Sequence, residues 1–329
     1  MKLADFDYHL PRELIAEYPL AERDQARLMV LNRSRQTIEH RIFKDIIGYF
    51  SAGDLLVLND TKVLACRLYG RRSTGGKVEI LLLNRKNGLT FEVLLKPHRL
   101  KLNEKIELPD SDISAVITAK NEVTFCAPDS NSIYSLGVVP LPPYIKRKPE
   151  AQDSIDYQTV YAKSEGSIAS PTAGLHFTEA LLARIAAGNV EIGYVTLHVG
   201  HATFQPVKAE DVISHRMGRE QFCINDETKT SIDRAQQEKR RIFAVGTTSC
   251  RTIETYACGK QEGYTDLFIY PGYQFKLVNC FITNFHLPRT TLFMLSCAFA
   301  GEQFMKRAYQ EAIEQKYRFY SYGDAMLIV

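Results

Sequence analysis

Three stretches of the chain share one pattern, in which an apolar, β-rich run enters a short polar loop and the loop opens a helical spacing of apolar residues. The first leads from SIASPTAGLHF to Thr178, an expected helix N-cap, and continues as EALLARIAA until Gly188 and Asn189. The second is RRIFAVG, TTS and CRTIETYA. The third is KLVNCFITNF, HLPRT and TLFMLSCAFAG, followed by the amphipathic run EQFMKRAYQEAIEQK. Each stretch predicts a strand, a loop and a helix.

Units of this kind are typical of α/β architecture. In such folds polar groups collect at the carboxyl ends of the strands, and helix N-termini direct backbone N–H groups into the same space. We therefore expect the functional site where the three loops meet.

The segment from about residue 65 to residue 144 has a different pattern, with short strand-like runs and no convincing long helix. It predicts a small antiparallel β-barrel inserted into the α/β chain, and the Pro- and Lys-rich exit VVPLPPYIKRKPE marks its boundary. The predicted domains are an α/β main domain formed by residues 1–64 and 151–329, and a barrel domain formed by residues 65–150.

Composition narrows the cellular context. The 329 residues are 45% hydrophobic, and no run of about 18 uncharged apolar residues suggests a membrane span. The N-terminus mixes acids and bases where a signal peptide would be apolar, and the 7 cysteines include no C-x-x-C pair. We expect a cytoplasmic protein with reduced thiols, without a membrane partner, and monomeric.

Net charge is only +3, so local clusters of basic residues carry more information than the total. Three clusters are candidates for phosphate contacts: Arg67, Arg71, Arg72 and Lys77; Lys96, His98, Arg99 and Lys101; and Lys146, Arg147 and Lys148. Charge alone favours the alternative that these are solvated loops and strand edges.

The loop PTAGLHFT is the first candidate for the chemistry. It combines a titratable imidazole, hydroxyls and a glycine that permits close backbone approach, in Thr172, Gly174, His176 and Thr178. The third loop adds Asn284, His286 and Arg289. The alternative for His176 is a structural imidazole that ties the loop to a neighbouring carbonyl, and the residues alone do not separate the two.

The second loop offers the hydroxyls of Thr247, Thr248 and Ser249 at a helix start, where a phosphate, carboxylate or ribose fits. Arg251 and Glu254 follow one turn later. The structural alternative, which the residues alone favour, is ordinary capping, with Arg251 and Glu254 as a surface pair.

Further candidates lie in LFIYPGYQF, where Tyr270 and Tyr273 are placed to stack on a base or to cover the core, and in LVLNDTKV, where Asn59, Asp60 and Thr61 end an apolar strand. The imidazoles of His198, His201 and His215 do not have a recognised metal-ligand spacing, which favours structural roles. There is no G-x-S-x-G, P-loop or G-x-G-x-x-G motif.

Long blocks of the chain resemble the S-adenosylmethionine:tRNA ribosyltransferase-isomerase family. They include FDYHLPRELIAEYPLAERDQARLMVL, GDLLVLNDTKVLACRLYGR, GGKVEILLL, VPLPPYI, YQTVYA, ASPTAGLHFT, VTLHVG, AVGTTSCRTIE, TDLFIYPGYQFKLVNCFITNFHLPRTTLFMLSCAFAG and YRFYSYGDAMLI. The blocks run nearly from end to end in the family's order. The resemblance implies an α/β main domain with an inserted β-barrel.

It also implies an enzyme of queuosine biosynthesis that transfers and isomerises the ribosyl group of S-adenosylmethionine. The acceptor would be 7-aminomethyl-7-deazaguanine at the wobble position of tRNAs with GUN anticodons, and the products epoxyqueuosine-tRNA, adenine and methionine. S-adenosylmethionine is consumed as a substrate, and neither a metal nor a separate redox cofactor is expected. Transfer of the ribose instead of the methyl group fits the missing methyltransferase fingerprint.

The candidate residues receive roles on this basis. We expect His176 to be the acid–base group, with His286 second and Asp60 as a further catalytic candidate. Substrate binding is assigned to Thr172, Gly174, Thr178, Thr247, Thr248, Ser249, Arg251, Tyr270, Tyr273 and Asn284. Contact with tRNA is assigned to Arg67, Arg71, Arg72, Lys146 and Arg147.

Two departures from the family pattern bear on substrate contact. The chain reads VTLHVGHATFQPV, with His201, Ala202 and Gln205 where the family has VTLHVGxGTFRPV, and it reads HRMGRE, with Gly218 where a second histidine is usual. These changes keep alternatives open. One is an S-adenosylmethionine-dependent RNA methyltransferase, which would not release adenine, and the other is a non-catalytic RNA-binding protein.

Overall fold

The computed structural model describes residues 1–98, 100–200, 207 and 209–329. The first part of the chain contains β1 (Arg27–Asn32), β2 (Thr37–Ile42), β3 (Leu55–Asn59), β4 (Thr61–Val63), β5 (Arg67–Arg72), β6 (Lys77–Asn87), β7 (Thr90–Lys96), β8 (Lys105–Glu107), β9 (Ser114–Ala119), β10 (Glu122–Cys126) and α1 (Ser130–Ser135). The second part contains α2 (Asp153–Asp156), β11 (Ser164–Ser167), α3 (Glu179–Ala187), β12 (Glu191–Leu197), β13 (Glu220–Ile224), α4 (Asp226–Gln237), β14 (Ile242–Val245), α5 (Gly246–Tyr256), β15 (Glu262–Thr265), β16 (Cys280–Asn284), α6 (Thr291–Ala300), α7 (Glu302–Glu314) and β17 (Ala325–Ile328).

The main domain is built on a sheet with the strand order β15-β13-β12-β3-β14-β16-β17-β1-β2. Its centre is parallel, since β12, β3, β14 and β16 pair in the same direction. The sequences LLVLN, IFAV and CFITN are buried at every position, as expected for parallel strands covered on both faces. These runs therefore place the centre of the sheet in the core.

Side chains alternate between two hydrophobic layers. Leu55 and Val57 of β3 face a layer that contains Ile253 of α5 and Phe293 of α6. Leu56 and Leu58 face the opposite layer, where the buried residues of α3 pack. Helices thus cover both faces of the sheet, which confirms the predicted α/β class. No helix among the described residues is long and apolar enough to cross a membrane.

Two of the three predicted strand–loop–helix units are present as β14–α5 and β16–α6. Thr290 caps α6, and Gly301, with φ of 90°, separates it from the amphipathic α7. In the first unit the helix prediction is correct, because Thr178 caps α3. Its strand prediction is wrong: within SIASPTAGLHF only Ser167 lies in a strand, at the end of β11, and Thr172–His176 form a 3-10 helix. Strand β11 pairs with β4 in a separate two-stranded sheet. The chain then turns at Pro171, whose carbonyl accepts the Gly174 N–H at 2.8 Å.

The inserted unit is a closed barrel with the strand order β10-β7-β6-β5-β8-β9, and all its pairs are antiparallel. Inward positions alternate along the strands, with Leu68, Ile80 and Val93 buried in one cluster. Ile133 of α1 packs against the same cluster. The barrel strands all lie within the predicted insert, and the boundaries at residues 65 and 150 stay predictions.

Candidate active site

A small pocket of about 70 Å³ lies at the carboxyl ends of β14 and β16. It brings together predicted residues from all three loops: Thr172, Thr247, Thr248, Asn284 and His286. Further lining residues, which the sequence interpretation missed, are Tyr144, Tyr157, Ser170, Tyr320 and Ser321. The convergence follows from the parallel order of β14 and β16, which places both carboxyl ends at one edge of the sheet.

The tyrosines reach the pocket from distant parts of the chain. Tyr144 lies in the Pro-rich exit from the barrel, and its hydroxyl hydrogen bonds with Ser321. Its ring stands edge-on to Tyr320, with centroids 3.9 Å apart. In the sequence these residues are visible only as repeated tyrosines in YRFYSYGD and a single tyrosine in VPLPPYI. Neither pattern indicates that the two segments meet.

Several buried polar atoms of this pocket have no hydrogen-bond partner among the described residues. They are Ser170 Oγ, Thr248 Oγ1 and Asn284 Oδ1. Buried polar groups are normally paired, because leaving one unpaired costs about 1–3 kcal/mol. The pocket is therefore suited to a ligand that carries both hydrogen-bond donors and acceptors.

The orientation of the Asn284 side chain is set by the two contacts of its amide nitrogen. Nδ2 donates to the carbonyl of Tyr320 at 2.9 Å and lies 3.3 Å from His176 Nε2. Tyr320 has a φ of 75°, a region that bulky side chains rarely adopt. Both amide hydrogens are thereby used, and Oδ1 remains as an acceptor on the pocket wall.

His176 lies behind Asn284 and lines a neighbouring cavity instead of the main pocket. Its ring packs on Phe43, with centroids 5.0 Å apart, and it hydrogen bonds with the backbone of Arg23. Burial lowers its pKa to about 4, so the imidazole is neutral at pH 7. This geometry corresponds to the structural alternative raised by the sequence, and the catalytic assignment of His176 stays a prediction.

His286 lines the main pocket directly. Its Nε2 lies 2.8 Å from Thr283 Oγ1, and its backbone N–H donates to Tyr309 Oη at 2.8 Å. The Tyr8 hydroxyl donates to its carbonyl. Burial lowers the pKa of His286 to about 3, which makes it a second neutral imidazole.

Because both imidazoles are buried in the neutral form, we expect stability to fall as the pH drops below about 6.5. The unfolded chain takes up protons in that range, while the folded protein does not until pH values near 4 for His176 and 3 for His286. Each histidine should contribute roughly 1.4 kcal/mol of lost stability per pH unit. Urea unfolding between pH 7 and pH 5 measures this slope.

The matched variant is His176→Gln, which should remove one histidine's share of the slope. Equal slopes in the wild type and in His176→Gln would contradict a buried neutral imidazole.

Gly174 is needed for close packing, as its place in the loop suggested. A Cβ at this position would lie 2.0 Å from the Tyr161 hydroxyl and 2.9 Å from Thr159 Cγ2. We expect Gly174→Ala to cost about 1–3 kcal/mol of stability. Tyr161→Phe should recover part of this loss, since its hydroxyl is buried without a partner. Thermal unfolding of the two single variants and the double variant measures the recovery, and additive losses would contradict the clash.

Comparison with known proteins identifies the family. The sequence model described as "Queuosine biosynthesis protein" matches residues 3–328. The chain is 52% identical over 336 residues to a protein of Sulfurihydrogenibium sp. (strain YO3AOP1) and 46% identical over 345 residues to one of Clostridium kluyveri, with full coverage of both chains in each case. Both relatives are named S-adenosylmethionine:tRNA ribosyltransferase-isomerase. This chain belongs to the queuosine biosynthesis protein family.

The solved structures agree. A crystal structure of S-adenosylmethionine tRNA ribosyltransferase from Thermotoga maritima matches with a TM-score of 0.59 and 39% sequence identity, over 99% of this chain and all of that one. The predicted family, the enzyme class of a transferase and isomerase, and the main domain with an inserted barrel are confirmed.

The other predicted residues of this queuosine biosynthesis protein lie outside the main pocket. Thr178 accepts the N–H of Leu181 at 3.1 Å as an N-cap. At the end of β3, Asp60 accepts hydrogen bonds from the hydroxyls of Thr196 at 2.6 Å and Ser164 at 3.3 Å. The Tyr270 and Tyr273 rings pack against Phe268 and Phe275, with centroids 5.0 and 5.1 Å apart.

Helix α5 is buried through most of its length, which changes the interpretation of Arg251 and Glu254. The predicted surface pair is wrong, because Arg251 instead forms a salt bridge with Glu220 and donates to the Leu267 carbonyl at 2.9 Å. Glu254 accepts backbone N–H groups of residues 276–278 at 2.9 to 3.0 Å. Ser249 is fully buried in the same helix.

The basic residues assigned to tRNA differ in availability. Arg67 lies 3.3 Å from Glu79, Arg72 lies 2.5 Å from Glu104, and Arg147 makes two hydrogen bonds to Asp153 at 2.7 and 2.6 Å. In contrast, Arg71 and Lys146 are exposed. Two predicted positions, Arg99 and His201, lie outside the described residues, as does the departure over residues 201–206. Within the described part of the chain no metal-ligand cluster is present.

Proposed function

We propose that this enzyme transfers and isomerises the ribosyl group of S-adenosylmethionine onto 7-aminomethyl-7-deazaguanine at the wobble position of tRNAs with GUN anticodons. The products are epoxyqueuosine-tRNA, adenine and methionine. Family membership supports the overall reaction class. The observation that carries the proposal is the pocket at the strand ends, where unpaired buried polar atoms stand beside tyrosine rings.

The start of α5 is suited to the polar end of the methionine or to the ribose. Thr247 and Thr248 lie in the first turn of this helix and line the pocket. The first N–H groups of a helix have no partner within it, and the helix dipole favours a negative charge there. A carboxylate at this position would gain backbone donors and the unpaired Thr248 hydroxyl.

The tyrosines supply the apolar surface. Burial raises the pKa of Tyr144 and Tyr157 above the usual value, so both hydroxyls stay protonated at neutral pH. Their rings, with Tyr320, form a wall against which adenine or the deazaguanine base can stack. A water-poor wall also shields a reactive ring-opened intermediate.

His286 is the proton acceptor that this geometry favours. In the proposed scheme a base removes a proton from the carbon beside the sulfonium, the ring opens and adenine departs with the glycosidic electron pair. The aminomethyl nitrogen then attacks the sugar, and methionine leaves as the thioether when the epoxide forms. The His286 imidazole lines the pocket, and it has to be solvated or paired in the substrate complex to hold this proton, because burial lowers its pKa to about 3. Asn284 Oδ1 is placed to accept a hydrogen bond from a donor on either substrate.

The pocket must widen to bind its substrates. Its volume of about 70 Å³ is well below the roughly 300 Å³ or more of typical small-molecule sites. The walls come from separate segments, which include Tyr144 of the barrel exit and Val199 after β12. Movement of the barrel exit relative to the sheet would enlarge the site without disturbing the core.

Mass spectrometry of a reaction containing purified enzyme, S-adenosylmethionine and tRNA bearing 7-aminomethyl-7-deazaguanine tests the proposal. The expected result is epoxyqueuosine in the tRNA with equal amounts of free adenine and methionine. Methylated tRNA with S-adenosylhomocysteine would instead identify a methyltransferase. Bound but unchanged tRNA would identify an RNA-binding protein without this activity.

A further inference from the structure

A groove on the outside of the barrel combines basic side chains with an exposed tyrosine, and it is separate from the active-site pocket. It has a volume of about 680 Å³, and we call it the barrel groove, defined by Tyr69, Arg71, Lys77, Glu79, Lys96 and Lys148. Tyr69 is 48% exposed, so its ring is accessible from solvent. The groove thus joins an accessible ring to several cations.

The strand register puts like charges directly opposite each other. Arg71 of β5 pairs with Lys77 of β6, and both side chains are exposed on the outer face of the barrel. On its other side Arg71 is opposite Glu107 of β8, whose carboxylate lies 3.8 Å from Lys105. Like charges at directly opposed positions destabilise a sheet. An anion lying across the two cations would relieve this repulsion, so their placement favours a polyanionic ligand.

The one acid of the groove does not cancel this charge. Glu79 is opposite Tyr69 on β5 and Lys96 on β7. Its carboxylate lies 3.3 Å from Arg67 and 3.7 Å from Lys96, so it is already shared between two cations. The exposed surface around Tyr69 therefore stays positive.

The barrel groove is connected to the active pocket through one short segment. Tyr144 lines the pocket, while Val138 and Lys148 of the same segment line the groove. The four residue steps from Tyr144 to Lys148 span at most about 14 Å. That distance corresponds to about four stacked nucleotides at roughly 3.4 Å each.

We propose that the barrel groove binds unpaired anticodon-loop nucleotides that flank the target base, with one base stacked on Tyr69 and phosphates on Arg71, Lys77 and Lys148. This inference rests on the proposed function, because it needs the target base to enter the pocket. Unpaired bases that stack on aromatic rings beside cations are a common mode of single-stranded RNA recognition.

The first test measures adenine release while the concentration of the modified tRNA is varied. Tyr69→Ala should raise KM for tRNA about tenfold with little change in kcat, within the range expected for loss of one stacked base. Tyr69→Phe should restore the wild-type KM because it keeps the ring. An unchanged KM in Tyr69→Ala, with normal wild-type turnover, would overturn the proposal.

The second test measures direct binding of unmodified tRNA as salt is raised. Lys77→Ala should weaken binding and lower the slope of log K against log salt by about one, while the free protein becomes no less thermally stable. Lys120→Ala, at an exposed position in the β9–β10 turn, is the matched control and should change neither quantity. An unchanged slope in Lys77→Ala would contradict a phosphate contact there.

The two tests separate the proposals. A wild-type enzyme that binds tRNA through Tyr69 and Lys77 but releases no adenine would contradict the proposed reaction and leave the groove supported. Wild-type turnover with groove variants of normal KM and normal salt slope would contradict the groove alone. A third outcome is a poly-glutamate peptide that binds the wild type and binds Tyr69→Ala more weakly, while neither groove variant changes tRNA binding. That result would identify an acidic protein ligand and overturn the RNA assignment.

Discussion

Arg251→Leu is expected to lower the free energy of unfolding by about 3–5 kcal/mol, because it breaks a buried ion pair and removes the donor to the Leu267 carbonyl. The side chains of Arg251 and Glu220 are only 5% and 2% exposed. Glu220 also accepts the Gly200 N–H at 3.0 Å, so the pair connects α5 and β13 to the segment after β12. The measurement is urea unfolding at pH 7, with the dependence on denaturant fitted separately for each variant.

The control for this prediction is the double variant Glu220→Leu with Arg251→Leu. Replacing both charges by apolar groups removes the buried ion pair as a whole, so the double variant should be more stable than Arg251→Leu alone. The initial assignment of Arg251 to the substrate stays a prediction, and the same variants test it. A loss below about 1 kcal/mol together with a raised KM for S-adenosylmethionine would favour substrate binding over the structural role.

The parts of the fold that can be predicted from the sequence are those determined by neighbouring residues along the chain. Strand β14 and strand β16 are continuous apolar runs, and each is followed by a helix with recognisable apolar spacing. The barrel strands alternate over short runs between turn residues, which indicates β-structure without any reference to distant segments. Thr178 is the predicted N-cap of α3 for the same local reason.

What sequence does not predict depends on partners far along the chain. Arg251 looked like a partner for Glu254 because the two are one helical turn apart, yet its acid is Glu220, 31 positions earlier. The run SIASPTAGLHF reads like a strand that enters a loop, but only Ser167 lies in a strand, β11, which pairs with β4 away from the main sheet. The Tyr144–Ser321 contact spans 177 positions, and no local pattern encodes such a pairing.

The structure brings residues of the three candidate loops to one pocket, and the orientation of each side chain decides which of them line it. His176 and Asn284 both lie close to the pocket, but Asn284 stands between the imidazole and the cavity. Burial keeps the His176 ring neutral, and the ring also hydrogen bonds with the Arg23 backbone. Residue type alone ranked the histidine first, and the structure makes the amide the stronger candidate for substrate contact.

Asn284→Ala is expected to lower kcat by about 100- to 1000-fold, the usual cost of removing one preorganised polar group from an active site. The change removes the acceptor Oδ1 from the pocket wall and also the donor that holds the Tyr320 carbonyl at 2.9 Å. Tyr320 would then lose support for its left-handed backbone. Single-turnover adenine release at saturating substrates measures the effect on chemistry.

Two further variants separate a functional role of Asn284 from a structural one. Asn225→Ala is the matched control, since Asn225 caps α4 by accepting the Thr228 N–H at 2.7 Å; it should cost about 1 kcal/mol of stability and leave kcat unchanged. Asn284→Asp keeps an oxygen toward the pocket but places a second one against the Tyr320 carbonyl, so it should also be impaired. If Asn284→Ala lost activity only in proportion to its unfolded fraction, the residue would be structural, because every folded molecule would then still turn over at the wild-type rate.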